Sequence, residues 1–197
     1  VGSRPYIDTK NPVVRVHAYL TAEEYQFYLD TSGAALYQRG NRGASIEAPL
    51  RENLAAGILK LSGWQVGQPL LDPMCGSGTF LLEAAMVALN IAPGLKRNFS
   101  FEKLKTFESD VWKKLKNKAS NEVKAVSFQK IYGSDLDLRA VRVTKQNLEA
   151  AGLLKVVQLS HMDMLNTTPP ADSGVMVANP PYGVRIGEDE ELALLYP

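Results

Sequence analysis

The chain has 197 residues, of which 45% are hydrophobic and 22% are charged, an ordinary balance for one globular domain, or for one domain and part of another. No apolar run approaches the roughly 20 residues of a membrane span, and the first residues lack the pattern of a signal peptide, so we expect no membrane partner and a cytoplasmic location. Because Cys75 is the single cysteine and the two histidines, His17 and His161, are far apart, the sequence excludes an internal disulfide and indicates no metal site of the usual zinc type.

Positive charge is concentrated in one segment, although the net charge of the chain is only +1. The segment from 96 to 130 holds ten basic residues against four acidic ones. The basic residues are Lys96, Arg97, Lys103, Lys105, Lys113, Lys114, Lys116, Lys118, Lys124 and Lys130, and the acidic residues are Glu102, Glu108, Asp110 and Glu122. Such a local excess could bind phosphates, but a solvated helix face explains it equally well.

The first predicted element is a β-hairpin. Apolar residues alternate with polar ones from 14 to 20 and again from 25 to 29, on either side of a short turn. Because two strands alone are marginally stable, we expect this hairpin to be the end of a larger sheet. His17 lies on the polar side of the alternation, which predicts a solvated side chain. A loop rich in Gly and Arg follows, and then a helix over 49–62, with Gly63 as its stop.

Strands and helices alternate from there to the end of the chain. We predict strands at 69–72, 130–135, 156–161 and 174–178, and helices at 79–90, 107–119, 137–151 and 188–196. This order is typical of an α/β fold, in which right-handed crossovers build a doubly wound parallel sheet. Ligands in such sheets bind at the carboxyl ends of the strands.

A glycine-rich loop leaves the first of these strands and enters a helix. It reads Asp72-Pro73-Met74-Cys75-Gly76-Ser77-Gly78-Thr79. The glycines allow a close approach of backbone to ligand, and the helix N-terminus presents unpaired N–H groups. A dehydrogenase would have G-x-G-x-x-G here, whereas an acidic residue before G-S-G suits a cation such as the amino group of a methionine moiety. A purely structural turn is the alternative.

Two further carboxylates follow the next two strands. Asp135 can accept hydrogen bonds from both hydroxyls of an adenosine ribose, a geometry that serves NAD as well as S-adenosylmethionine. Asp137 could do the same, but its position at the start of a helix gives it a sufficient role as N-cap. Asp163 could accept from an adenine amine, although such a residue is more often part of a turn.

The fourth strand runs into Asn179-Pro180-Pro181-Tyr182. Two prolines stiffen the chain. The amide oxygen of Asn179 and the carbonyl of Pro180 can both accept hydrogen bonds from an exocyclic –NH₂ group, which would orient its lone pair. Tyr182 offers a ring against which a flipped base can stack. An ordinary turn does not require this combination.

Three motifs, in this order, resemble those of class I methyltransferases that act on base amines. They are L-D-P-M-C-G-S-G-T at 71–79, G-S-D-L-D at 133–137 and N-P-P-Y-G at 179–183. The hairpin ending in L-D-T-S-G, the stretch R-G-N-R at 39–42 and the helix at 48–56 are similar to the junction that follows a THUMP RNA-binding domain. The whole chain therefore resembles the bacterial THUMP-containing 23S rRNA guanine-N2 methyltransferases, which have also been labelled adenine-specific DNA methylases.

The resemblance implies a Rossmann-like sheet, of which the chain holds the first four strands, and a division into the end of a THUMP domain at 1–44 and part of a catalytic domain at 45–197. It implies S-adenosylmethionine as cofactor and ribosomal RNA as partner. The expected cofactor-binding residues are Asp72, Pro73, Cys75, Gly76, Gly78, Asp135, Asp163 and Asn179, with Cys75 mainly a packing residue. The expected catalytic residues are Asn179, Pro180 and Tyr182.

Other functions remain open on the residues alone. A nicotinamide oxidoreductase would explain the glycine loop and Asp135, but would leave the N-P-P-Y motif without a role. An RNA-binding module with an inactive site would retain the hairpin and the basic segment. Adenine N6 in DNA is an alternative target to guanine N2, because the acceptors at 179 and 180 fit either amine.

Overall fold

A computed structural model describes residues 2, 7–10, 12–39 and 50–180 of the chain. The chain divides into two compact units. The hairpin unit consists of Val1–Asn41 and Asn90–Lys124, and the sheet unit consists of Arg42–Leu89 and Ala125–Pro197. The predicted boundary at residue 44 lies outside the described residues and stays a prediction. Within the described residues, no helix is both long enough and apolar enough to cross a membrane.

The predicted β-hairpin is present in the hairpin unit. Strand β1 (Arg15–Leu20) pairs antiparallel with β2 (Tyr25–Asp30), and the register joins Arg15 to Asp30. The Oγ1 atom of Thr21 accepts the N–H of Glu24 at 2.9 Å and closes the turn. Both strands are largely exposed, including His17, which the alternation predicted to be solvated.

The second segment of the hairpin unit holds a short 3₁₀ turn, Ser100–Lys103, and helix α3 (Ser109–Asn121). Arg97 ties this segment to the loop after β2, since its guanidinium donates to the carbonyl oxygens of Ser32, Ala34, Ala35 and Gln38. The guanidinium also lies over the ring of Phe99, whose centroid is 4.7 Å from the guanidinium carbon. Arg97 is only 7% exposed, so this member of the basic segment is a structural residue and not a contact for phosphate.

The sheet unit is the predicted α/β fold. Its elements in chain order are α1 (Glu52–Leu61), β3 (Leu70–Asp72), α2 (Thr79–Ala88), β4 (Ile131–Asp135), α4 (Leu138–Ala151), β5 (Val157–His161) and β6 (Val175–Met176). The four strands are parallel and lie in the order β5-β4-β3-β6. They match the predicted strands within one or two residues, and the predicted helix at 188–196 lies outside the described residues.

Two helices with different burial patterns cover the sheet. Nine of the ten residues of α2 are buried, which agrees with its nearly continuous apolar sequence. Helix α4 is amphipathic and buries only one face. It begins at Asp137, whose Oδ1 accepts the N–H of Arg139 at 2.8 Å, and it ends at Gly152 in the left-handed conformation. Both ends were predicted from the sequence, because an N-cap carboxylate and a terminal glycine are local signals.

Strand order fixes where a ligand can bind. The chain moves outward from β3 to β4 and β5, and then returns to place β6 on the other side of β3. The crossovers therefore diverge between β3 and β6, and at the carboxyl edge of an α/β sheet this is where a ligand-binding crevice is expected.

Candidate active site

Strand register brings the predicted polar residues to one edge of the sheet. Asp72 pairs with Gly133, and Asp135 pairs with His161. On the other side, Leu71 pairs with Met176, which puts Asp72 level with residue 177. Asp135 therefore lies two residues, or about 7 Å, beyond the level of Asp72 on one side of β3, and on the other side Asn179 follows residue 177 by two positions, beyond the end of β6. The glycine loop rises between them.

Asp72 lies at the base of this edge and is enclosed. Its side chain is 1% exposed, and its Oδ1 accepts the N–H of Met74 at 3.2 Å. Burial raises the pKa of Asp72 to about 8, the N–H of Met74 opposes that shift, and the negative charge of Asp135 adds to it. Near neutral pH the carboxyl is thus poised to ionise when a cation comes close.

The two glycines of the loop have different surroundings. Gly76 has a φ of +56°, and a Cβ placed on it would meet no atom within 4 Å. Gly78 has a φ of +82°, and a Cβ there would lie 2.7 Å from Cγ2 of Thr144. Gly78 therefore allows the loop to pack against α4, whereas the backbone at Gly76 faces open space. Pro73, at the start of the loop, is fully buried.

Asp135 connects the glycine loop to the end of β4. Its Oδ2 accepts the N–H of Gly76 at 2.8 Å, and its Oδ1 accepts the N–H of Asp137 at 2.9 Å. A carboxylate oxygen can accept more than one hydrogen bond, so each oxygen retains capacity for a ligand hydroxyl. The side chain is only partly buried. The N–H of Met162 also donates to the Asp135 carbonyl at 3.1 Å, which joins the end of β5 to the same point.

Two residues of α4 that the sequence analysis missed hold the loop from behind. Thr144 donates from Oγ1 to the carbonyl of Gly76 at 2.9 Å, and Asn147 donates from Nδ2 to the carbonyl of Ser77 at 2.9 Å. Both side chains are at most 1% exposed. A signal was present, because positions 140, 144, 147, 148 and 151 form the buried face of α4, and two of them are polar. Polar side chains on a buried face need partners.

Cys75 faces the protein interior. It is 5% exposed, and its Sγ lies 3.6 Å from Oγ1 of Thr144. Burial, with a further contribution from the nearby charge of Asp72, raises the pKa of the Cys75 thiol to about 12. A thiol that stays protonated is a poor nucleophile, which agrees with a packing role. In the described part of the chain, no group of three or more His, Cys, Asp or Glu residues could hold a metal ion.

The last predicted site residues lie beyond β5 and β6. Asp163 is partly buried, and its Oδ1 accepts the N–H of Leu165 at 3.0 Å, so it caps a short 3₁₀ turn. Asn179 and Pro180 are partly buried and lie three and four residues beyond the end of β6. Tyr182 lies outside the described residues, and its predicted stacking role stays a prediction.

A family model described as the RMKL-like methyltransferase domain matches residues 39–197. The chain belongs to this family. Among its curated relatives, the ribosomal RNA large subunit methyltransferase K/L of Shewanella baltica is 44% identical over 98% of this RMKL-like chain and 28% of its own length. The protein with the same name from Psychromonas ingrahamii is 43% identical over 98% of the chain and 26% of its own length. The chain thus spans roughly a quarter of these relatives.

Solved structures give the same fold. The crystal structure of SMU.472, described as a methyltransferase complexed with SAH, matches with a TM-score of 0.85 and 37% identity over 93% of the RMKL-like chain and 48% of its own. A protein from Listeria monocytogenes, described as an N6-adenine-specific DNA methylase, matches with a TM-score of 0.83 and 35% identity over the same shares. The predicted methyltransferase fold and family are confirmed, while the THUMP assignment of residues 1–44 stays a prediction.

Proposed function

We propose that the protein to which this chain belongs is an S-adenosylmethionine-dependent methyltransferase that modifies guanine N2 in 23S ribosomal RNA in the cytoplasm. The observation that carries the proposal is the strand order and register by which Asp135 ends β4 and residues 177–180 follow β6, on opposite sides of β3. Asp135 would offer acceptors for a ribose on one side, and Asn179 and Pro180 would offer acceptors for an amine on the other. The names of the relatives supply the RNA class.

The residues of the crevice fit S-adenosylmethionine. Gly76 faces open space next to Asp135, so a ribose can approach the free lone pairs of that carboxylate. Asp163 would accept from the adenine amine, and the enclosed carboxyl of Asp72 would ionise as the ammonium group approaches and would then hold it from beneath the loop. Pro73, Cys75 and Gly78 would shape the loop without touching the reacting atoms.

The residues of the chain would orient the exocyclic amine and the base. S-adenosylmethionine supplies a sulfonium methyl that is already activated, so geometry is the main requirement of the protein. The amide oxygen of Asn179 and the carbonyl of Pro180 would accept from the exocyclic amine and point its lone pair into the crevice. Tyr182 would stack against the base. The hairpin at the start of the chain would be the end of a THUMP domain that binds the RNA.

Product analysis tests the proposal. Full-length protein would be incubated with isotope-labelled S-adenosylmethionine and with ribosomal RNA from a strain that lacks the enzyme, and in parallel with unmethylated DNA. The nucleosides would then be identified by mass spectrometry. We expect labelled N2-methylguanosine from the RNA. Labelled N6-methyladenine from DNA, with none in RNA, would contradict the substrate, and no labelled product in either would favour an RNA-binding module with an inactive site.

A further inference from the structure

An apolar groove in the hairpin unit lies between the 3₁₀ turn Ser100–Lys103 and helix α3. Its volume is about 490 Å³, within the roughly 300–1,000 Å³ range of ligand sites. The rings of Phe101, Phe107 and Trp112 line it, together with two aliphatic side chains of α3. Those two, Val111 and Leu115, are 50% and 55% exposed, so the apolar face of α3 is uncovered within the described part of the chain.

The rings of the groove hold one another in place. The centroid of Phe101 lies 5.0 Å from that of Trp112, nearly perpendicular to it, and 5.9 Å from that of Phe107. The Nε1 donor of Trp112 is buried and has no hydrogen-bond partner among the described residues.

The segment around the groove carries a net positive charge, which favours an anionic occupant, and Glu108 is the one charged residue among the described lining residues. Between residues 103 and 118 the chain holds six lysines and two acidic residues, a net charge of +4. One of the two acids, Asp110, lies 3.8 Å from Lys113. The Lys116 ammonium lies 5.2 Å from the centroid of the ring of Trp112, which lines the groove.

A second cavity, which also borders the 3₁₀ turn Ser100–Lys103, is lined by more basic than acidic residues. It has a volume of about 350 Å³ and is lined by Lys10, Arg15 and Lys103, with Asp30 as the one acidic residue among its described lining residues. Asp30 is already engaged, because its carboxylate accepts two backbone N–H groups of its own turn, which hold its pKa below the ordinary value. The cavity therefore also favours a phosphate.

We propose that this groove binds an unpaired nucleotide of the RNA, with its base against the rings and its phosphates on the lysines of α3. The inference rests on the proposed function for the identity of the polyanion. Aromatic side chains beside a basic track are the usual means of holding single-stranded nucleic acid, whereas a duplex buries its bases and offers none to the rings. The high lysine density disfavours an apolar protein segment as the occupant.

The test compares two substitutions on α3 that change the charge equally. Leu115→Glu places a carboxylate in the groove, and Asn117→Glu places one two residues away, at an exposed position that does not line the groove. Full-length proteins would be titrated into a fluorescein-labelled single-stranded A10 RNA and into a duplex of the same sequence, with anisotropy as the readout. Because stacking of one base contributes about 1–3 kcal/mol, we expect Leu115→Glu to weaken single-strand binding about tenfold and Asn117→Glu to weaken it about threefold or less.

The outcomes separate this inference from the proposed function. Equal losses in the two variants would mean that charge alone binds the RNA, and no loss in Leu115→Glu would mean that the groove is not used; either result overturns the inference. Unchanged affinity for S-adenosylhomocysteine in both variants checks the fold. If the groove binds RNA but the protein methylates none, the proposed function fails and the groove stands. If methylation proceeds and Leu115→Glu binds RNA normally, only the groove fails.

Discussion

The glycine loop of the sheet unit is held by specific hydrogen bonds, whereas the polar side chains of helix α3 in the hairpin unit are exposed. In the loop, Asp135, Thr144 and Asn147 each bond to a specific backbone atom of residues 76–77. Helix α3 has no buried residue, and its lysines project from an exposed surface. A site that must align a methyl group with an amine needs fixed geometry, whereas one that retains a polyanion needs mainly charge. Under the proposed function, the first region would carry catalysis and the second would retain RNA.

The largest effect should come from Asn179→Ala, which tests whether the sheet unit alone carries the chemistry. The variant should lose more than nine-tenths of kcat, since the amine loses the acceptor that orients it, while its affinities for S-adenosylhomocysteine and for A10 RNA stay close to wild type. Single-turnover kinetics with ribosomal RNA would measure the rate. A variant that keeps more than a tenth of wild-type kcat would remove Asn179 from the catalytic role.

The two glycines give a matched pair for the rigidity of the loop. Both Gly76→Ala and Gly78→Ala force a side chain into a left-handed backbone, which costs about 1–2 kcal/mol. Gly78→Ala also meets Thr144 at 2.7 Å, and such overpacking adds about 1–3 kcal/mol. Urea titration should therefore find Gly78→Ala the less stable variant. Equal stability of the two would show that the loop does not pack tightly against α4.

Substitutions at Asp135 and Asp137 should separate an effect on ligand binding from an effect on folding stability. Asp135→Ala should weaken binding of S-adenosylhomocysteine by about 1–3 kcal/mol, the scale of a lost hydrogen bond to a charged group. Asp137→Ala should lower the free energy of unfolding by about 1 kcal/mol, because it removes an N-cap, and should leave ligand affinity nearly unchanged. Titration calorimetry would measure the ligand affinity of both proteins, and urea titration would measure their free energies of unfolding. Unchanged affinity in a folded Asp135→Ala protein would exclude Asp135 from the site.

The last expected effect is a pH dependence of stability that depends on Asp72. Its pKa is about 8 in the folded protein and near 3.8 in an unfolded chain, so the folded state binds more protons between those values. The contribution of Asp72 to the free energy of unfolding should fall as the pH rises from about 4 towards 8. The melting temperature of wild type should therefore fall more over this range than that of Asp72→Asn. Parallel pH profiles would contradict the raised pKa.

Local signals explain most of what the sequence predicted. The four strands, the caps of α4 and the polar residues at the strand ends follow from hydrophobic periodicity and from glycine, proline and N-cap chemistry. What the sequence missed depends on contacts between distant parts of the chain. Thr144 and Asn147 bond to residues 68 and 70 positions away, and Arg97 binds a loop more than 55 residues earlier. No periodic pattern predicts such pairs.

The most direct test of the account is a crystal structure of the full-length protein with S-adenosylhomocysteine. We expect the ligand at the carboxyl edge of the sheet between β3 and β6. Its ribose hydroxyls should lie within about 3 Å of the Asp135 carboxylate, and the ribose should lie next to the backbone of Gly76. A ligand bound elsewhere on the chain, or one at this edge with its ribose away from Asp135, would contradict the account.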